Sequence, residues 1–293
     1  SGQVALAVTL LAGAGLLFGS FVGMRSVDPG FDPDGLLAMR VQVQGTSNFN
    51  FDAPWEGWNR LEAELATVPG VEAAGLTSSL PLQAPEWEPR ILLPGDGSGV
   101  ERRGIAGYVI TPAYLETVGT EVVRGRRFEG ADDPNGERVA LVNETFVRTQ
   151  LGGMDPIGTE IRWAFRDDFL GRRQVDQIAE RWGAGDEITL RIVGVVEDAV
   201  QARVAQGPRA AVYLPHTQAR AFGAEVAVRS DLAPAALESG LRSAAIRFNP
   251  NTSRVGLEPT PMTDRLAAER PTLRFQAFLI SSFALVALLL AAT

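Results

Sequence analysis

Residues 36–80 read LLAMRVQVQGTSNFNFDAPWEGWNRLEAELATVPGVEAAGLTSSL, and two changes of period inside this stretch decide the fold class. From Leu36 to Gln44 apolar residues alternate, as in a strand with one buried face, before the polar run GTSNFNFD. From Asp52 the period lengthens. Trp55, Trp58, Leu61, Leu65 and Val68 recur every three or four residues, which puts one apolar stripe on a helix capped by Asp52 with Pro54 near its first turn. Pro69-Gly70 stops that helix, and Val71 to Leu80 returns to strand-like composition. The stretch reads strand, helix, strand, with a crossover long enough for parallel strands.

The same grammar returns near the other end of the chain. A strand at Glu225 to Arg229 (EVAVR) is followed by a helix from Ala233 to about Phe248, a stop at Asn249-Pro250-Asn251 and a strand at Ser253 to Leu257. Paired in one sheet, the two units predict a split, ferredoxin-like layer with both helices on one side, so the fold class is α+β. The intervening residues form a β-rich insertion: short strands at Ile91 to Leu93, Tyr108 to Ile110, Val139 to Asn143, Glu187 to Val196 and Ala211 to Leu214, with helices at Pro112 to Val118 and Glu144 to Leu151. The charged segment from Phe165 to Gly185 reads as a surface excursion.

The charges are confined to the middle of the chain, the first being Arg25 and the last Arg274. Val4 to Val22 is 19 residues without a charge, and Phe275 to Thr293 is a second stretch of 19. A helix of that length spans roughly 28 Å, close to the hydrocarbon thickness of a bilayer. The expected organisation is a transmembrane helix in 1–24, an extracytoplasmic domain in 25–274 and the beginning of a second transmembrane helix in 275–293. Within the domain, a porter-like part comprises 34–81 and 223–260, and the inserted distal subdomain comprises 82–222. Gly15, Gly19 and Gly23 clear one face of the first span for close packing with another helix.

Composition removes most enzyme chemistry. All 27 basic residues are Arg, so a Walker A loop and a Schiff-base lysine are excluded. There is no Cys and a single His216, which excludes thiol catalysis, disulfides and multi-His metal centres. A net charge of −8 without a basic block argues against nucleic-acid binding. The remaining motifs have structural readings. His216 in YLPHTQ reads as a lone surface or turn histidine, and no G-x-S-x-G elbow supplies a nucleophile for it. Asp28, Asp32 and Asp34 in DPGFDPDG fail the calcium-loop pattern and mark a linker. Asp132, Asp133 and Asn135 are turn formers, Asn143 and Asn251 begin chance sequons, and Asp167-Asp168 lacks an apolar setting for acid/base work. No catalytic, cofactor-binding or metal site is expected, and the chain is not expected to be an enzyme.

Several blocks carry a resemblance when taken in order. They are SVDPGFDPDGLLAMRVQV after an apolar stretch, ITPAYLETVGTEVVRGRRFEGAD, VALVNETFVRTQLGGMDPIGTEIRW, IVGVVEDAVQARVAQGPRAAVYLP, and an apolar stretch opening after RPTLRF. Together the chain resembles the MacB/FtsX-type ABC transporter permeases, in particular the duplicated acidobacterial orphan permeases. The resemblance implies a MacB-like periplasmic core domain between two transmembrane helices, in a bacterial inner membrane. It also implies that ATP is hydrolysed on a partner ABC ATPase, that no cofactor sits in this chain, and that mechanical coupling replaces passage through a pore. Expected partners are the ATPase, the other permease half or a second copy, the lipid bilayer, and a periplasmic adaptor or substrate protein. Four spans per unit are usual in the family, so the chain reads as a fragment, and its 165–185 excursion is longer than usual. Two other classes stand beside this one: a two-span sensor that binds a small ligand, and a membrane-anchored hydrolase, which would need a cleft gathering Ser, His216 and a carboxylate.

Overall fold

The computed structural model describes residues 29–42, 54–85, 87–93, 101–164, 187–200, 207–219, 224–252 and 256–268. Both apolar stretches, with Gly15, Gly19 and Gly23, the expected cap Asp52 and the 165–185 segment lie outside them. Among the described residues no helix is long and apolar enough to cross a membrane.

The first unit consists of β1 (Leu36–Val41), α1 (Pro54–Ala66) and β2 (Ala73–Thr77). The last contains β10 (Ala224–Arg229), α4 (Pro234–Phe248), β11 (Thr260–Pro261) and α5 (Met262–Ala268). The expected split layer is present as strand pairing. β10 lies between β1 and β2, antiparallel to both, and β11 pairs β1 on its outer side. The parallel β1 and β2 are thus one strand apart instead of adjacent. The fourth strand departs from the expectation at Ser253 to Leu257, since residues 256–257 are not strand and the pairing falls at Thr260–Pro261. The segment before it still tracks β1, where the Arg40 amide donates to the Gly256 carbonyl at 2.8 Å.

Helices cover both faces of this layer. On one face α1 and α4 lie side by side, and Trp58, Leu61 and Leu65 share a core with Leu237, Leu241 and Phe248. Burying each such side chain stabilises the fold by roughly 1.5–3 kcal/mol. The opposite face holds Leu36, Ala38 and Ala227 against Met262 of α5 and against Tyr114 and Leu115 of α2 (Tyr114–Val118). Gly75 of β2 allows this close approach, because a Cβ there would lie 2.4 Å from the Tyr114 Cα.

The inserted strands continue the same sheet. They are β3 (Arg90–Leu92), β4 (Ala106–Ile110), β5 (Val122–Gly125), β6 (Val139–Asn143), β7 (Glu160–Ala164), β8 (Glu187–Val196) and β9 (Ala211–Pro215), with α3 (Glu144–Gln150) after β6. The order runs β11-β1-β10-β2-β4-β9-β6-β8-β7-β3, and β5 pairs β8 off this path. The outer segment curls back toward β4 through single bridges, Trp87 to Gly107 and Ile91 to Arg102. Trp87 lies flat over Gly107, stacked on Trp163 at 4.5 Å between centroids.

Candidate functional site

Polar side chains concentrate where β2 hands the sheet on to β4. Regular pairing there is a single register pair, Thr77 with Ile110. On either side of it, each backbone hydrogen bond is answered by a hydroxyl. The Thr111 amide donates to the Leu76 carbonyl at 2.9 Å, and the Leu76 amide donates to Thr111 Oγ1 at 3.0 Å. The Ser78 amide donates to the Val109 carbonyl at 2.9 Å, and the Val109 amide donates to Ser78 Oγ at 3.0 Å. All these groups are buried, so each hydroxyl satisfies an amide that would otherwise cost about 1–3 kcal/mol.

One face of α1 lies over this seam. Thr111 Oγ1 donates to Glu62 Oε1 at 2.9 Å. Burial raises the Glu62 carboxyl above its usual range, and the Thr111 hydrogen bond partly offsets that rise. From the end of β9, the His216 amide donates to the Ile110 carbonyl at 3.0 Å. The His216 ring stacks on Trp58, with centroids 6.2 Å apart and planes within 12°, and Nε2 lies 2.7 Å from Asn59 Oδ1. An amide oxygen only accepts, so the ring proton rides on Nε2. His216 sits in a turn as expected but is not at the surface, since α1 covers it, and this burial pulls its pKa down to about 4 and keeps the ring neutral near pH 7.

A second polar cluster fixes the 29–35 linker. Arg229, on β10, sends its guanidinium to Asp32 Oδ2 at 3.1 Å, to the Thr117 carbonyl at 2.8 Å, and to the carbonyls of Asp32 and Asp34. The Asp32 amide donates to the Val118 carbonyl at 2.9 Å, Thr120 Oγ1 donates to the Gly30 carbonyl at 3.1 Å, and the Val200 amide donates to the Pro29 carbonyl at 2.8 Å. Linker, α2 and β10 are therefore one hydrogen-bonded unit.

The motifs singled out in the sequence are placed as follows. Asp32 and Asp34 serve the Arg229 clamp, with the Asp34 amide donating to Asp32 Oδ1 at 3.1 Å. Asp132 forms a two-pronged pair with Arg126 at 2.7 and 2.8 Å. Burial alone would raise the Asp132 carboxyl, but Arg126 and the Glu129 amide outweigh it and hold it below its usual range. Asp133 Oδ1 accepts the Asn135 amide at 2.7 Å. Asn143 is buried and caps α3, its Oδ1 accepting from the Phe146 and Ala211 amides at 3.0 and 2.8 Å. Asp28, Asp167 and Asp168 lie outside the described residues. Among those residues no group of three or more His, Asp or Glu side chains could hold a metal ion.

Residues 4–244 match the MacB-like periplasmic core domain family. The chain belongs to this family. The MacB-like core domain is the periplasmic part of an ABC-type permease, so the linker clamp and the β2/β4 seam belong to an extracytoplasmic domain of a MacB/FtsX-type permease. Two solved structures are similar. One is the periplasmic region of MacB from Actinobacillus actinomycetemcomitans, at 11% identity and TM-score 0.48, covering 84% of this chain and 98% of that one. The other is the extracellular domain of the noncanonic ABC-type transporter YknZ from Gram-positive bacteria, at 14% identity and TM-score 0.44, covering 73% and 94%. No curated protein sequence matches the chain.

Of the seam and clamp residues, His216, Asp32 and Asp34 were noted in the sequence as turn or linker residues, and the partners that hold them were not singled out. Ser78, Thr111 and Glu62 carry no motif, since a hydroxyl in a strand looks the same whether it faces solvent or a buried amide. The signal within reach was EVAVR, where charges at both ends of an apolar strand mark side chains that must find partners inside.

Proposed function

We propose that this domain transmits force for a MacB/FtsX-type permease: a partner ABC ATPase hydrolyses ATP in the cytoplasm, and the resulting tilt of the flanking spans moves the distal strands β3 to β9 as a lever for export or signalling. The observation that supports it is the adjacency of the two ends of the core. β1, which follows the linker, pairs directly with β11, which leads into α5, so a displacement of either apolar stretch is delivered to one layer. The Arg229 clamp supports it further, by joining the linker to α2 at the start of the insertion. Force carried along hydrogen-bonded and close-packed elements moves them as a body.

On this reading the domain boundaries are those set out from the sequence, Gly15, Gly19 and Gly23 pack the first span against another helix, and the chain has no catalytic residue or cofactor of its own. It works with a second permease half or a second copy, and a periplasmic adaptor or substrate protein meets the distal strands. The sensor alternative gains no support from the family match.

The test places a dye on the tip. Because the chain has no Cys, Met154→Cys gives a unique site on an exposed distal loop. With the permease and its ATPase in nanodiscs containing an acceptor-labelled lipid, energy transfer should change on adding a non-hydrolysable ATP analogue and revert with ADP. Constant transfer in all nucleotide states rejects the lever.

A further inference from the structure

Glu225 is a carboxylate in the middle strand of the layer, 2% exposed. Its Oε1 pairs with Nε of Arg40, the residue opposite it on β1. Its Oε2 is buried and has no hydrogen-bond partner. A half-satisfied carboxylate in this setting is costly, and a cation able to reach the free oxygen would relieve that cost.

Such a cation is close. Glu225 and Ala227 point to the same face of β10, and Ala227 shares a core with Met262 of α5. Arg265 is three residues beyond Met262, on the same side of the helix. Its guanidinium is half-buried, without a hydrogen-bond or ion-pair partner among the described residues. Burial lowers its pKa, the charge of Glu225 raises it, and that of Arg40 lowers it, so the three groups feel one another. The other polar neighbours of Glu225 are Thr77, opposite it on β2, and Tyr114 of α2. Neither is a cation.

We infer that Glu225 is a two-position latch: Oε1 holds Arg40 of β1, and Oε2 is the seat Arg265 takes when α5 shifts toward β10. β1 follows the linker from the first apolar stretch and α5 precedes the second, so the latch registers the two chain ends against each other. Its role in transport rests on the lever reading, whereas the exchange itself does not, and the test reads only the exchange.

The full chain in lipid nanodiscs is unfolded with urea, following tryptophan fluorescence, for Arg40→Gln, Arg265→Gln and the double variant. Each single variant leaves Glu225 one arginine, and the double leaves none. The double should therefore shift the unfolding constant about tenfold more than the product of the single shifts. In parallel, spin labels at Glu116→Cys on α2 and Ala267→Cys on α5 should move closer in Arg40→Gln, as Arg265 is drawn to the orphaned carboxylate. They should separate again in the double variant. Multiplicative single effects, or a label distance indifferent to Arg40→Gln, overturn the latch.

Discussion

Nη1 of Arg229 lies 3.1 Å from Oδ2 of Asp32, a contact between residues 197 apart in sequence that fastens the linker to the third strand of the layer. The same side chain also holds the carbonyl of Thr117 at the end of α2. A planar fork serving a carboxylate and several carbonyls at once is a task an ammonium cannot repeat.

Replacing Arg229 with Gln or Lys should therefore cost about 1–3 kcal/mol, with Lys recovering little of it. Urea midpoints measure this. Amide exchange at Asp32, which donates to Val118, should quicken in both variants. A Lys variant as stable as the parent would show that the fork geometry is immaterial.

His216 sets an acid limit. Its folded pKa of about 4 lies below the ordinary 6.5, so the unfolded chain binds the proton first as pH falls. The stability associated with the neutral ring is complete above about 6.5 and is lost progressively down to about 4, an amount of about 3 kcal/mol. The His216→Gln variant should be less sensitive to pH over that window than the parent, by unfolding at pH 7 and pH 4.5. Equal slopes would mean the ring reaches solvent.

Thr111 tests the seam. Thr111→Val removes the acceptor for the Leu76 amide and the donor to Glu62, and should destabilise by about 2 kcal/mol, whereas Thr111→Ser should be nearly neutral. Losing that donor should raise the Glu62 carboxyl further, so the cost in Thr111→Val should grow with rising pH. NMR titration of Glu62 reports this directly.

Gly107→Ala should separate the two stacked tryptophans, Trp87 and Trp163. The new Cβ would meet the Trp87 ring at 2.5 Å, and overpacking of this kind typically costs 1–3 kcal/mol. Near-ultraviolet circular dichroism should lose the signal of the Trp87–Trp163 stack. An unchanged spectrum would show that the ring shifts freely.

The elements with strong periodicity were legible in the sequence. The stripe from Trp58 to Val68 gave α1, and VALVN and EITLRIVGVV gave β6 and β8 with their observed limits. β5 was not legible, because VVRG is mostly exposed and bulged, with no buried apolar face to signal it. β7 was missed for a related reason: in EIRWA charged residues alternate with buried ones next to a charged segment. The fourth strand was misplaced because RVGL has the apolar content of a strand, while Thr260–Pro261 pairs for just two residues and carries no pattern. Of the polar clusters, Asp32 lies in the loop before β1, and its partner could not be foreseen from spacing. An arginine 197 residues away becomes a neighbour only when β10 inserts beside β1.

The interleaving of β10 between β1 and β2 also sets the order of assembly. Arg40 must wait for a partner made 185 residues later, so as the chain emerges β1 and β2 have no common neighbour until nearly the whole insertion has been synthesised. The inserted strands β3 to β9 are complete by Pro215 and can close on themselves first. The layer of β1, β10 and β2 is knitted last, which makes the synthesis of β10 the bottleneck of its maturation and the point before which a shortened product would stall.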